Sequence, residues 1–225
     1  MSELYLVRHG QASFGAKNYD KLSELGIQQA KWLGEYFQQR EIEFSKLWRG
    51  DLLRHQETAE GICLTMQHQP EEMVQRGLNE FDFQNIAIAY LSLFPNEKPQ
   101  ADAKPAEFYR LLKKAMRAWS EERLPLELLS ESWQQFQARV EACRSDICAA
   151  DDGKPVLVVS SGGTISMFMS LVLGMSAEQV IELNMQIKNT GFSHFYFNQR
   201  TVRLSSFNNI PHLDVPERFN SITFS

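Results

Sequence analysis

Leu4-Tyr5-Leu6-Val7-Arg8-His9-Gly10 is the stretch on which the fold turns. Leu4 to Val7 are four consecutive apolar or aromatic residues, the run expected of a strand buried on both faces inside a parallel sheet. The run stops at a guanidinium, an imidazole and a glycine. A fixed cation, a titratable nucleophile and a flexible backbone position thus stand together where a buried strand surfaces. In open α/β sheets ligands bind beyond the carboxyl ends of the strands, which makes Arg8 and His9 site candidates. Taken alone, the tripeptide reads equally well as a strand edge with two ordinary polar residues.

The same pattern returns late in the chain. Val156-Leu157-Val158-Val159 is a second buried run, and it opens into Ser160-Ser161-Gly162-Gly163 ahead of an apolar helix from Thr164 to Leu173. Strand, glycine turn and helix N-terminus together make a natural anion site, because backbone N–H groups point outward there. Ser161 and Gly162 are therefore phosphate-binding candidates.

Between these runs the elements alternate. Ser23 is placed to cap a helix whose apolar face is Ile27, Ala30, Leu33 and Phe37, ending near Arg40. Phe44 to Trp48 predicts a second strand. Gly50-Asp51 breaks it, with Asp51 expected to cap a helix through Leu52, Leu53, Ala59 and Ile62, which puts Arg54 near that helix's positive end. Met73 to Leu78 predicts a third strand, leading to Asn79-Glu80-Phe81. From about residue 84 to 130 the pattern becomes a helical insertion around a loop from Pro95 to Pro105. Trp133, Phe136, Val140, Cys143 and Ile147 mark a further helix, with Ser132 as its cap. Phe192–Phe197 and Val202–Phe207 predict a hairpin, and the tail from Asn208 onward is expected to be loop. Gln11 to Asp20, small and polar, are expected to form a loop able to fold over a ligand, and Gln11 and Ser13 are candidates for touching phosphate or leaving group.

Composition narrows the class. The chain has 225 residues, 43% of them hydrophobic, enough for one α/β domain with an embedded insertion. Lys+Arg 23 against Asp+Glu 28 gives −5, which leaves no nucleic-acid footprint. Cys63, Cys143 and Cys148 lack metal-ligand spacing and suit reduced, buried thiols. No signal peptide and no bilayer-length apolar run is read, so a soluble, cytoplasmic protein without a membrane partner is expected. Neither a metal nor another cofactor is implied, and a homo-oligomer stays open.

Two arginines converging on one histidine make a poor general-base site and a good phosphate site. Guanidinium forks pair bidentately with phosphate oxygens and stay charged at any working pH. They also disfavour imidazolium, which keeps His9 neutral and nucleophilic. Glu80 is the natural acid to protonate a leaving alcohol and then activate water.

Leu-Val-Arg-His-Gly, then Leu22-Ser23-Glu24-Leu25-Gly26-Ile27-Gln28-Gln29-Ala30, then Leu53-Arg54-His55-Gln56-Glu57-Thr58-Ala59 and Leu78-Asn79-Glu80 resemble, in order and spacing, the histidine phosphatase (phosphoglycerate mutase-like) superfamily. The resemblance implies a three-layer α/β/α sandwich with a mostly parallel sheet, metal-independent phosphoryl transfer and a phosphohistidine on His9. By motif position Arg8 and Arg54 would clamp the phosphate and Glu80 would donate the proton. One position departs. Ser161 stands where the family usually has a second histidine that hydrogen-bonds the transferring group, and a serine supplies only one neutral hydroxyl donor. Three accounts remain: a histidine from elsewhere (His194, His212 or His55) fills the space, the glycine-turn amides suffice, or the site binds phosphate and turns over little.

The remaining candidates have plainer readings. His55 follows Arg54 and is turned about 100° from it on a helix, which suggests a place on the surface or behind the ligand-contacting groups. His194 reads as half-buried structure in a strand, and His212 as a loop residue equally consistent with no role and with a lining of the pocket. Thr58 and Ala59 read as helix packing. Phe81, Phe83, Trp133 and Phe136 read as core more readily than as a substrate wall. The leading function is a phosphomonoester hydrolase acting on a phosphorylated small molecule or phosphoprotein. The alternatives are a phosphoglycerate mutase-type transferase and a weakly active or inactive phospho-ligand-binding relative.

Overall fold

The computed structural model describes residues 1–13, 20–100 and 102–224, the side chain of Pro105 aside. The opening run is strand β1, Ser2–Arg8, and its alternation sets up two cores. Leu4 and Leu6 face one side with Trp48, Val156 and Val158, whereas Tyr5 and Val7 face the other with Leu47, Leu157 and Val159. A strand with apolar residues on both faces needs cover on both, and helices supply it.

Helices α1 (Glu24–Gln39) and α2 (Leu53–Cys63) cover the Tyr5/Val7 face through Ala30, Leu33, Phe37, Ala59 and Ile62. The opposite face carries α3 (Phe83–Leu93), α4 (Pro105–Ser120), α5 (Trp133–Ala149), α6 (Gly162–Leu173) and α7 (Ala177–Asn184). Leu6 is 1% exposed between two strands, and truncating it to Ala would cost about 2–5 kcal/mol through the cavity left behind.

The six-stranded sheet has the order β3-β2-β4-β1-β5-β6. Strands β2 (Lys46–Arg49), β3 (Glu71–Val74) and β4 (Val156–Ser160) run parallel to β1, and β5 (Phe192–Phe197) and β6 (Val202–Asn209) run antiparallel to their neighbours. The register pairs Arg8 with Ser160 and Arg49 with Val159. The carboxyl ends of β1, β4 and β2 are thereby neighbours, and His9, Ser161 and the entry to α2 emerge together.

Several expectations need correction. Asp51 does not cap α2. Its carboxylate accepts from Arg76 Nε at 2.7 Å and Asn79 Nδ2 at 2.6 Å, while the first N–H of α2, that of Leu53, donates to Asp20 Oδ2 at 2.8 Å. A carboxylate from a distant loop does what the adjacent one was expected to do. Met73 to Leu78 is not one strand. β3 ends at Val74 and a 3-10 turn, Arg76–Leu78, follows. The tail is not wholly loop either, since β6 runs to Asn209 and a 3-10 segment spans Pro216–Ser221. Helix α7 escaped the periodicity reading because it is only 8 residues long, although its capping box, Ser176 with Gln179, is written in the sequence. The caps of Ser23 on α1 and Ser132 on α5 form as expected.

Candidate functional site

His9 sits just past β1, 6% exposed. Its backbone is held from every side. His9 N–H donates to Ser160 O at 2.9 Å, its carbonyl accepts from Asn189 Nδ2 at 3.1 Å, and Thr190 N–H donates to Arg8 O at 3.1 Å. Gly10 N–H donates to Thr58 Oγ1 at 3.0 Å, and that hydroxyl donates on to Arg54 O at 2.6 Å. Thr58 is thus more than helix packing, because it ties the loop after His9 to α2. Thr190 holds φ at 54°, a left-handed conformation that costs a β-branched residue on the order of 1–3 kcal/mol and persists only where its surroundings over-determine it.

The ring of His9 has a defined tautomer. Nδ1 lies 2.7 Å from the carbonyl oxygen of Gly10. A carbonyl only accepts, so Nδ1 carries the proton and Nε2 keeps its lone pair. Burial, and then the charges of Arg54 and Arg8, hold the imidazole well below its ordinary value. The ring is neutral at working pH.

Of the other candidates, Arg54 and Arg8 stand close enough to act on its charge. Arg54, in the first turn of α2, pairs with Asp20 at 2.6 Å and has Nη2 3.5 Å from Ser161 Oγ. Arg8 Nη1 donates to the carbonyls of Ile187 and Phe224, so the tail reaches back to this guanidinium. Gln29 in α1 holds the same tail through Ser221 O at 2.7 Å and Thr223 Oγ1 at 3.0 Å. Glu80 lies against the start of α6, where Oε2 accepts from Gly163 N–H at 2.9 Å. The helix terminus expected to be open to an anion therefore presents this amide to a carboxylate of the protein. A Cβ at Gly163 would stand 2.2 Å from the Phe81 ring and 2.4 Å from Glu80 Oε1, so only glycine admits this approach. Gly162 packs against Asn184, whose Oδ1 would lie 2.5 Å from an added Cβ.

Gln11 and Ser13 are engaged in building their loop. Gln11 Oε1 accepts from Ser23 Oγ at 2.8 Å and its N–H donates to Gln29 Oε1 at 2.9 Å, while Ser13 Oγ donates to Leu22 O at 2.9 Å. The loop expected to fold over a ligand falls largely on residues 14–19, outside the described residues.

Of its two expected places, His55 takes the one behind a candidate ligand-contacting group and not the surface. It is fully buried, its Nε2 lies 2.7 Å from Ser161 Oγ, and its ring centroid is 5.8 Å from that of His9. Arg54 and His55 touch one hydroxyl because the site lies off the end of α2, where consecutive residues of the first turn both reach it. His194, in contrast, pairs with Glu3 at 2.9 Å and packs on Tyr5 within the sheet. His212 is buried against Thr190 Oγ1 at 2.9 Å, and burial followed by Arg218 lowers it to about 3. It lines a cleft of about 390 Å³ with Trp32, Tyr36 and Arg218, to which His9, Arg54 and Glu80 do not contribute. Phe81, Trp133 and Phe136 are core, with Phe81 and Phe136 in edge contact at 5.5 Å and Phe83 only partly buried beside them.

The family model described as the histidine phosphatase superfamily (branch 1) matches residues 4–210. The chain belongs to this superfamily. A Salmonella typhi relative named "Probable phosphoglycerate mutase GpmB" is 25% identical over 96% of this chain and 97% of its own length. Among solved structures, phosphoglycerate mutase from Bacillus anthracis aligns with TM-score 0.67 at 21% identity, covering 94% of each chain. A mutant phosphoserine phosphatase from Entamoeba histolytica in complex with phosphoserine aligns with TM-score 0.66 at 20% identity, covering 95% of this chain and 100% of that one. The α/β sandwich is that of the histidine phosphatase superfamily, and its members' phosphoryl chemistry is the frame for this site. No helix among the described residues is long and apolar enough to cross a membrane.

Proposed function

We propose that this histidine phosphatase superfamily member is a phosphomonoester hydrolase acting through a phosphohistidine on His9. One observation carries the reading: Nδ1–H donates to the Gly10 carbonyl, which leaves the Nε2 lone pair as the nucleophile of a buried, neutral ring beside two arginines. Nε2 attacks phosphorus as the bond to the substrate oxygen breaks, and the departing oxygen takes a proton from the Glu80 carboxyl. Water then attacks phosphorus, Glu80 accepts its proton, and the N–P bonding pair returns to Nε2. Arg8 and Arg54 neutralise the phosphoryl oxygens throughout, which is where positioning and charge accomplish most of phosphoryl transfer without a metal.

Hydrolysis is favoured over mutase action by the insertion. Within it Lys113, Lys114, Arg117 and Arg123 each pair with a carboxylate, namely Glu182, Glu97, Glu178 and Glu121. A mutase needs cations for a second phosphate, and these four are already matched. The substrate class is a phosphorylated small molecule, with phosphoserine and phosphoglycerates, named for the relatives, as first members of a test panel. Three free thiols fit a reducing, cytoplasmic setting.

The test is hydrolysis of a generic aryl phosphate with acid- and base-stability analysis of the labelled protein, for the native chain and His9→Ala. Base-stable, acid-labile label that vanishes with His9 supports the reading. Turnover that survives His9→Ala sinks it.

A further inference from the structure

We propose that His55 is a positioning residue that locks the Ser161 hydroxyl as a hydrogen-bond donor to the transferring phosphoryl group. The pair thereby stands in for one imidazole at the end of β4. The inference rests on the phosphoryl-transfer reading of the site and deepens it.

The geometry leaves Ser161 few choices. Its Oγ receives His55 Nε2 at 2.7 Å and faces Arg54 Nη2 at 3.5 Å. His55 Nδ1 is buried with no hydrogen-bond partner among the described residues. It lies against Gly50, where a Cβ would stand 2.4 Å from it. A tautomer protonated at Nδ1 would bury an unanswered donor, which proteins avoid more strictly than an unanswered acceptor. The proton therefore sits on Nε2 and is donated to Ser161. Complete burial, followed by the charges of Arg54 and Arg49, disfavours a second proton on the ring. With its lone pairs facing His55 and Arg54, Ser161 has its own O–H left to donate. It gives no cap to α6, whose N-terminus it occupies. Ser161 follows Ser160, whose carbonyl accepts from His9 N–H, and the His55 ring stands beside both Ser161 and His9. The hydroxyl is thus held at the nucleophile's side, oriented by a residue 106 positions away.

The experiment is a double-mutant cycle on the full chain with Ser161→Ala, His55→Phe and the pair, reading aryl phosphate hydrolysis and, separately, inorganic phosphate affinity by calorimetry. Ser161→Ala is expected to lower kcat about 10²-fold, as loss of one transition-state donor does. His55→Phe keeps the hydroxyl and loses its orientation, with an expected fall of about tenfold. In the Ser161→Ala background His55→Phe should cost less than about twofold more, because the two act as one unit. His55→Gln, which returns an N–H near the Nε2 position, should recover kcat to within about threefold of native. A folded His55→Phe with native rate and native phosphate affinity overturns the proposal, as do losses that simply multiply in the pair. If the phenylalanine variant does not fold, His55→Ala carries the same cycle. Failure of the phosphohistidine reading appears instead as hydrolysis by His9→Ala, while phosphate affinity still tests the pair.

Discussion

Two buried strands surface side by side in this protein and end differently. β1 closes in Arg8-His9-Gly10, and its imidazole ring is oriented by the next residue's carbonyl. β4 closes in Ser160-Ser161-Gly162, and its hydroxyl is oriented by the ring of His55 from another helix. At β1 the chemistry and its orienting group are contiguous in sequence, so a seven-residue motif contains most of the device. At β4 the motif contains only the hydroxyl. The comparison teaches that a side chain at a strand's end can take its partner from a neighbouring element when it lies off that element's end.

Removing the β1 device should have the largest effect. His9→Ala is expected to lower turnover by about 10⁴-fold or more, since the nucleophile's contribution is not shared with another group. Steady-state kinetics with circular dichroism to confirm folding decides it, and retained turnover would erase the distinction between the two strand ends. Next comes the arginine that serves both ends. Arg54→Ala should cost about 10²–10³ in kcat/KM and weaken vanadate binding strongly. A vanadate Kd that barely moves would remove Arg54 from the clamp.

The β4 end can be rewritten directly. Ser161→His alone is expected to lower activity about tenfold, because the new ring meets the buried His55 and overpacks the site. Combined with His55→Ala it should recover most of that loss. A gain from Ser161→His alone would mean that His55 leaves the position empty.

The smallest effect is on stability. His9, His55 and His212 are held neutral by burial, all below their ordinary value, His212 at about 3. Unfolded, each takes up a proton below about pH 6.5 while the native state does not, so stability is complete above that pH and falls on acidification. Each group contributes at most about 1.4 kcal/mol per pH unit until its native value is reached. Thermal melts from pH 7 to pH 5 should show a steeper fall for the native chain than for His212→Asn. Equal slopes would mean that His212 is not buried neutral.

Much was legible before any coordinates. The unbroken apolar runs Leu4–Val7 and Val156–Val159 named the central strands, because a run apolar on both faces is stable only between two helical layers. Ser23 and Ser132 announced their helices, because a cap and its partner N–H lie three residues apart. The set Arg8, His9, Arg54 and Glu80 announced phosphate chemistry through residue type and order. Asp51 was misread as the cap of α2 because the closest carboxylate in sequence is not the closest in space.

By itself, then, the sequence determined the parallel core, the serine caps of α1 and α5 and the place of His9 beside Arg8 at the end of β1, since each depends on neighbours within a turn or a strand. Tertiary structure alone decided that Asp20 caps α2 and pairs with Arg54, that Thr58, Asn189 and Thr190 brace the backbone around His9, and that His55 meets Ser161. The reason is geometric. Helical periodicity tells which side of a helix a residue takes, and says nothing about what lies beyond the helix's end. Only the register of β1, β4 and β2 brings the first turn of α2 and the end of β4 to the same place.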